Sequence, residues 1–270
     1  MNPSVHPHHR RHLRPAVRRV LTVTVVACIA VGGASFVLHS RSAVPAASAT
    51  STSSASAASE AESSLLTARQ AKAILDDPRM VLVNHTNKMP DDHTFTTKAC
   101  GSATAVNKTL QTEAADAFLA MQAAAAKDGV TIWMQSGYRS VSYQTNLYEK
   151  KTNYYKQQGY DDAKAKEMAA AIVNPPGYSE HNCGLAADLN SPEHTGLDEG
   201  FENTAAFRWL CQHAGEYGFI LRYPKGAEEK TEITYEPWHW RYVGVENAAK
   251  INASGLCFED YIAALQQIAG

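Results

Sequence analysis

Two histidines and one carboxylate of this 270-residue sequence are spaced so that they could bind a single metal ion. His181 and Asp188 lie seven positions apart, and Gly184 between them permits a turn. A loop that carries His181 and a strand that carries Asp188 could therefore converge on one cation. His239 would complete a two-histidine, one-carboxylate zinc site with an open fourth position, which is typical of catalytic rather than structural zinc.

Glu236 is the candidate general base. It lies three positions before His239, and aromatic residues surround both. A carboxylate at this place would lie beside the metal and accept a proton from an attacking water. Taken alone, residues 236–242 would more often be a half-buried aromatic strand with a hydrogen-bonded histidine.

Arg139 is the candidate binder of a substrate carboxylate. It belongs to the segment Ser136–Ser140, and Gln144 follows it by five positions. An arginine at a strand-to-helix turn can hold a carboxylate with two parallel hydrogen bonds. Taken alone, Arg139 would more often be an ordinary surface residue.

The three clusters occur in the order S-G-Y-R-S, then S-x-H-x-x-G-x-A-x-D, then E-x-W-H-x-R-Y. This order resembles the zinc D-alanyl-D-alanine carboxypeptidases of the VanY type, and the resemblance extends from about Val81 to Tyr261. It implies an enzyme with one Zn2+ per chain that removes the terminal residue of a peptidoglycan stem peptide. It also implies a small α+β domain with a central antiparallel sheet.

The resemblance assigns roles residue by residue, and no assigned position departs from the family pattern. The zinc ligands would be His181, Asp188 and His239. The catalytic residues would be Glu236, as the base, and Arg139. The substrate's terminal carboxylate would be held by Arg139, with supporting polar contacts from Gln144 and Ser179.

Three other functions stay open in the sequence. An L,D-carboxypeptidase would use a similar site, because stereochemical choice depends on the shape of the pocket. A peptidoglycan endopeptidase is disfavoured by Arg139 and Gln144, since an internal bond leaves no free carboxylate to bind. A catalytically inactive wall-binding module is disfavoured because the set of ligands and base is complete.

The hydrophobic pattern predicts the elements that must position these residues. Helices are predicted at 65–77, 109–127, 142–158, 161–173, 203–217, 245–253 and 258–268, and strands at 80–83, 130–135, 185–189, 219–223 and 238–243. Helices and short strands without regular alternation indicate an α+β fold. We therefore predict a single α+β domain, residues 65–270. The resemblance to the VanY type implies that its helices flank a small central antiparallel sheet.

The charge of the chain is divided unevenly. Residues 1–41 contain six of the 25 basic residues and no acidic residue, so the remainder carries 19 basic against 27 acidic groups. An acidic body is a poor binder of nucleic acid, whose affinity comes largely from neutralised phosphates. We therefore expect no nucleic-acid partner, and we expect a monomer.

Residues 1–41 are typical of a membrane anchor or a signal peptide. Five arginines precede an uncharged run of 19 residues, Val20–Leu38, close to the length that spans a bilayer. Positive charge before this run predicts a cytoplasmic N-terminus and an extracytoplasmic remainder. A retained anchor is favoured because the run exceeds a usual signal core, although small residues at 44–49 could supply a cleavage site and release the protein. Residues 42–64, nearly all Ala, Ser and Thr, are expected to form a flexible linker.

The exported part of the chain holds four cysteines, Cys100, Cys183, Cys211 and Cys257. An even number outside the cytoplasm favours two disulfides, whose connectivity the sequence leaves open. Cys183–Cys211 together with Cys100–Cys257 is the preferred pairing, and free buried thiols are the alternative.

Overall fold

The computed structural model describes residues 66–101 and 107–270, which form one domain of mixed helices and strands. Its strands are β1 (Thr97–Ala99), β2 (Thr109–Gln111), β3 (Trp133–Ser136), β4 (Ala186–Asn190), β5 (Phe219–Tyr223) and β6 (Glu236–Tyr242). Its helices are α1 (Ala68–Leu75), α2 (Thr112–Lys127), α3 (Val141–Gln157), α4 (Asp162–Ala170), α5 (Ala205–His213), α6 (Glu228–Thr231), α7 (Val245–Ser254) and α8 (Phe258–Ala269). Short 3-10 turns lie at Pro78–Met80, Glu180–Cys183, Glu199–Asn203 and Ala214–Tyr217.

The central sheet is antiparallel and has the strand order β3-β4-β6-β5, while β1 pairs with β2 in a second sheet. In β4, Asp188 lies opposite His239 of β6 and opposite Ser136 of β3. At the end of β5, Tyr223 lies opposite Glu236 at the start of β6. Directly opposed residues have their side chains on the same face of a sheet. The register therefore places Asp188 and His239 side by side.

Strand β4 lies inside the sheet, and all five of its residues are buried. Burial on both faces explains why small apolar residues such as Ala186 and Ala187 follow one another without a polar alternation. Asp188 is the charged residue of this strand. A buried carboxylate is costly unless it is paired or binds a metal, so its position marks a functional site.

Two hydrophobic clusters support the sheet. The first joins α2 and α5 to the sheet and includes Phe118, Met121 and Trp240. The second joins α1, α7 and α8 to the sheet through Ile220 of β5. Full burial of one large apolar side chain contributes roughly 1.5–3 kcal/mol, so both clusters stabilise the strands that carry the site.

A helix cap at Ser140 and a glycine at position 184 determine the conformation of the segments next to β3 and β4. Ser140 caps α3, since its Oγ accepts a hydrogen bond from the backbone N of Tyr143 at 3.1 Å. The helix thus begins two positions after Arg139. Gly184 ends the Glu180–Cys183 turn in the left-handed conformation, with φ of 70°. A Cβ atom there would lie 2.8 Å from the Phe95 ring, so the turn requires glycine.

Most predicted elements are present with shifted boundaries, and a single domain of helices and small antiparallel sheets is confirmed. Two segments differ. Residues 80–83, a predicted strand, end a 3-10 turn and continue without regular structure. Residues 109–111, the predicted start of a helix, form β2 and pair with β1. The Thr109 carbonyl also accepts from the backbone N of Tyr138 at 2.7 Å, so tertiary pairing overrides local helix propensity.

The predicted membrane helix Val20–Leu38 and the predicted linker 42–64 lie outside the described residues. Within 66–101 and 107–270, no helix is both long and apolar enough to span a membrane.

The expected disulfides are not formed, because all four cysteines of the described residues are free. The preferred pairing of Cys183 with Cys211 and of Cys100 with Cys257 is therefore wrong. Cys183 donates from Sγ to the Glu180 carbonyl at 2.8 Å, within its own turn. The Cys100 thiol lies 3.7 Å from the carbonyl oxygen of nearby Lys98. Both thiols contact local backbone rather than a second cysteine.

Candidate metal and substrate site

His181 lies on the Glu180–Cys183 turn, shortly before β4. Its Nδ1 lies 2.7 Å from the carbonyl oxygen of Gly137. A carbonyl oxygen can only accept a hydrogen bond, so Nδ1 carries the ring hydrogen and Nε2 presents a lone pair. Burial, together with the charge of Arg139, lowers the pKa of His181 to about 4. The lone pair on Nε2 is therefore free of a proton at neutral pH.

Asp188 and His239 form a cluster with His181. One carboxylate oxygen of Asp188, Oδ1, lies 3.2 Å from Nε2 of His181 and 3.3 Å from Nδ1 of His239. All three residues are buried, and their ligand atoms lie within 4.8 Å of one another. Zinc bonds of about 2.0–2.2 Å in a tetrahedron place neighbouring ligand atoms about 3.4 Å apart. The spacing and the donor types therefore fit zinc with three protein ligands.

Glu236 begins β6 and is buried beside this cluster. Its Oε2 lies 3.5 Å from Nδ1 of His239. Burial raises the pKa of Glu236 to about 8; the charge of His239 opposes this rise and the Asp188 carboxylate adds to it. A carboxylate with a raised proton affinity, placed next to a metal site, is suited to proton transfer near neutral pH.

Arg139 follows β3 and makes three contacts, two of them with residues of the cluster. Its Nη2 contacts Oδ2 of Asp188, and its Nε donates to Oγ of Ser136 at 2.9 Å. Its backbone N donates to the carbonyl oxygen of His181 at 3.0 Å. These side-chain contacts leave guanidinium N–H groups available for a second carboxylate.

A cleft of about 420 Å³ opens over the cluster. All of the predicted site residues line it: Arg139, Gln144, Ser179, His181, Asp188, Glu236 and His239. Gln144 donates from Nε2 to the Asn174 carbonyl at 2.7 Å, and its buried Oε1 has no partner among the described residues. The Ser179 side chain does not cap the turn that follows it. Both side chains thus offer polar atoms to a molecule bound in the cleft.

Glu180 belongs to the site but does not stand out in the sequence. It is fully buried, and its Oε2 lies 3.5 Å from Nε2 of His239. Two features of the sequence point to Glu180: it directly precedes His181, and Arg241 lies in the third motif two positions after His239. Both signals are weak because charged residues are frequent neighbours of any histidine.

Known proteins are similar to this chain in sequence and in fold. The family model described as VanY, D-alanyl-D-alanine carboxypeptidase, matches residues 107–245. A D-alanyl-D-alanine carboxypeptidase of Enterococcus faecalis (strain ATCC 700802 / V583) is 32% identical over 264 residues. The match covers 94% of this chain and 94% of that protein.

Two solved structures extend the comparison. One is a mutant of the vancomycin resistance D,D-pentapeptidase VanY from a VanB-type resistance cassette, in complex with Zn(II). It is 34% identical with a TM-score of 0.59, and the match covers 68% of this chain and 99% of that one. The other is the LdcB LD-carboxypeptidase, which is 34% identical with a TM-score of 0.59 over 70% of this chain and 88% of that one. The predicted family is thus confirmed, and the chain belongs to the VanY family of D-alanyl-D-alanine carboxypeptidases.

Proposed function

We propose that this chain is a zinc carboxypeptidase that removes the terminal D-alanine from peptidoglycan stem peptides ending in D-alanyl-D-alanine. The observation that carries the proposal is the meeting of a metal-binding cluster, a buried carboxylate and an arginine in one cleft. Membership of the VanY family and the likeness to a D,D-pentapeptidase in complex with Zn(II) support the same reaction.

One zinc ion would be held by His181, Asp188 and His239. When bound, zinc supplies Lewis acidity that polarises the scissile carbonyl and acidifies water. The protein keeps the ligands in place through its own hydrogen bonds. The Gly137 carbonyl fixes the ring of His181, and Arg139 fixes the carboxylate of Asp188. Such contacts orient metal ligands and raise metal affinity.

Glu236 is the proposed general base and acid. Its carboxylate accepts a proton from water as the water oxygen adds to the carbonyl carbon of the scissile bond. It then delivers this proton to the leaving nitrogen as the C–N bond breaks, and D-alanine departs as a free amine. The raised pKa of Glu236 suits both transfers, because it lies closer to neutral pH than that of an ordinary carboxyl group.

Arg139 is proposed to bind the terminal carboxylate of the substrate, with Gln144 and Ser179 contributing polar contacts. The position of Arg139 beside Asp188 sets the distance between this carboxylate and the reacting bond. Fixing that distance allows only the last peptide bond to reach the metal, and it also reduces the entropy lost in the reaction.

An L,D-carboxypeptidase is a second candidate, because the chain is as similar to LdcB as to the VanY pentapeptidase, by identity and by TM-score. Incubation of the protein with two stem peptides would separate these activities. One peptide is a pentapeptide that ends in D-alanyl-D-alanine, and the other is the tetrapeptide that remains after loss of one D-alanine.

Mass spectrometry of the products distinguishes the possible activities. We expect conversion of the pentapeptide to the tetrapeptide, with no further loss. Rapid conversion of the tetrapeptide to a tripeptide would favour the L,D activity. Fragments from internal bonds would instead favour an endopeptidase.

We also propose that residues 1–41 anchor the catalytic domain 65–270 to the outer face of the cell membrane through the linker 42–64. The arginines before an uncharged run of 19 residues support this proposal. Cell fractionation should recover the protein with membranes, in a form that external protease degrades. Recovery in the medium would indicate a cleaved signal peptide, and recovery in the cytoplasm would contradict the topology.

We further propose a monomer, which sedimentation of the detergent-solubilised protein would test.

A further inference from the structure

A buried cluster of charged residues lies behind the metal site. Glu180 is fully buried, and its Oε1 accepts from Nε of Arg222 at 2.8 Å and from Nη1 of Arg241 at 2.6 Å. Arg222 also makes a two-point contact with Glu259, at 2.8 Å and 2.5 Å. A carboxylate oxygen that accepts hydrogen bonds from two guanidinium groups belongs to a charge-assisted pairing, so Glu180 is an anion in the protein interior.

The second oxygen of Glu180 is not used by either arginine. Oε2 has no hydrogen-bond partner among the described residues, and the same is true of Nε2 of His239. These two unpartnered atoms lie 3.5 Å from each other. A buried polar atom without a partner is costly, so two such atoms facing each other indicate an interaction between them.

The orientation of His239 determines which of its ring nitrogens can bind the metal. Its Nδ1 faces Asp188, where the metal would bind, while Nε2 faces Glu180. A neutral imidazole carries its hydrogen on one nitrogen only. A carboxylate at Nε2 holds the hydrogen there and leaves the lone pair on Nδ1, in the direction of the metal.

We propose that Glu180 is a positioning residue for the metal, and that it fixes the ring and the tautomer of His239 through a hydrogen bond from Nε2. The inference rests on the proposed function, because it takes zinc as the metal held by His239. Arg222 and Arg241 serve this role by holding Oε1, which leaves Oε2 directed at the histidine. Glu180 thus fixes the ring of His239, just as the Gly137 carbonyl fixes the ring of His181.

The variant Glu180→Gln tests the proposal with little change in shape. Two arginines donate to the position of Oε1, so the amide oxygen of glutamine must take that position. The amide NH2 would then face Nε2 of His239, where it favours the tautomer that cannot bind metal through Nδ1. Glu259→Gln is the matched control. It removes one negative charge from the same Arg222 network but does not contact His239.

Zinc affinity of the purified full-length protein is measured by competition with a chelator. We expect Glu180→Gln to weaken zinc binding about 10- to 100-fold, the range for loss of a partner that orients a ligand. Glu259→Gln should bind zinc as the wild type does. Equal affinities in the two variants, with normal zinc binding by the wild type, would overturn this inference alone. A wild type that binds no zinc would overturn the proposed function as well.

The tautomer of His239 can also be measured in the wild type, which tests the proposal even if Glu180→Gln does not fold. Nitrogen-15 spectra of the histidine rings in the zinc-loaded protein show which nitrogen carries the hydrogen. We expect His239 to have a protonated Nε2 whose hydrogen exchanges slowly with solvent, and a metal-bound Nδ1. A protonated Nδ1, or an Nε2 hydrogen in fast exchange, would overturn the proposal.

Discussion

Arg139 donates from Nη2 to Oδ2 of Asp188, the carboxylate oxygen other than the one beside the two histidines. One buried carboxylate therefore connects the arginine that would bind the substrate with the cluster that would bind zinc. The Asp188 side chain, rather than a flexible loop, sets the distance between Arg139 and the metal-binding cluster. A substrate carboxylate bound by Arg139 would lie at a fixed distance from the metal cluster, which would restrict cleavage to the last peptide bond.

Replacement of Arg139 should remove the preference for a free terminal carboxylate. A charge-assisted hydrogen bond contributes about 1.5–3 kcal/mol, so Arg139→Ala should reduce the kcat/KM ratio of acid to C-terminal amide substrate about 10- to 150-fold. Arg139→Lys should recover only part of this preference, because an ammonium group lacks the two-point geometry. Lys150→Ala removes a different positive charge from the same cleft and should leave the ratio unchanged. An unchanged ratio in Arg139→Ala would refute the assignment.

Glu236→Gln should abolish proton transfer without loss of the metal. The substitution keeps the size of the side chain, and Glu236 is not one of the three clustered ligands. General acid–base catalysis typically contributes about 10²–10⁴-fold, so kcat should fall by that order while zinc content stays near one per chain. Glu228→Gln, at an exposed acid in α6, is the control. Turnover near that of the wild type in Glu236→Gln would place the base elsewhere.

Zinc binding should release a proton near neutral pH. In the metal-free protein, burial lowers the pKa of His239, but the side-chain contacts with Asp188 and Glu180 and the charges of Asp188 and Glu236 outweigh burial and raise the pKa to about 9. His239 is therefore protonated at pH 7 and must lose this proton to bind metal. Zinc affinity should rise as the pH rises towards 9, by up to roughly tenfold per unit, and level off above it. Calorimetry in two buffers of different ionisation enthalpy measures the released protons, and an affinity independent of pH below 8 would contradict the prediction.

The cysteines should react as free thiols of different accessibility. Cys211 is exposed, whereas Cys183 is buried and its thiol pKa is raised by burial. Brief alkylation of the native protein should therefore label Cys211 and spare Cys183. After unfolding without a reductant, peptide mapping should find Cys100, Cys183, Cys211 and Cys257 all alkylated. A disulfide-linked peptide that contains Cys183 would show that the protein oxidises in its native compartment.

The metal ligands could be predicted from the sequence because the motifs around them resemble those of the VanY family, whereas the spacing of His181 and Asp188 alone is a weak signal. The sheet shows why these motifs converge. Asp188 and His239 lie on neighbouring strands, and a one-residue slip in register would move one of them to the opposite face. In the observed register, Ala187 pairs with Trp240 and Asp188 pairs with His239. His181 was also predictable, since the turn before β4 is short and ends at Gly184.

Other features depend on contacts that no local pattern encodes. Glu180 meets Arg222 and Arg241 across 42 and 61 positions of sequence, and neither pairing has a periodic signal. The strand β2 forms where propensity predicts helix, because β1 is available to pair with it. The disulfide expectation failed because an even number of cysteines is a property of composition and contains no information on distance.

The central claim is tested most directly by the release of D-alanine from a pentapeptide ending in D-alanyl-D-alanine, measured for zinc-loaded, zinc-stripped and reloaded protein. We predict that the loaded protein releases D-alanine in equal amount to the tetrapeptide formed. Stripping should abolish the release, reloading should restore it, and the C-terminal amide of the same peptide should react far more slowly. Equal cleavage of acid and amide, or full activity after stripping, would contradict a zinc carboxypeptidase built on His181, Asp188, His239, Glu236 and Arg139.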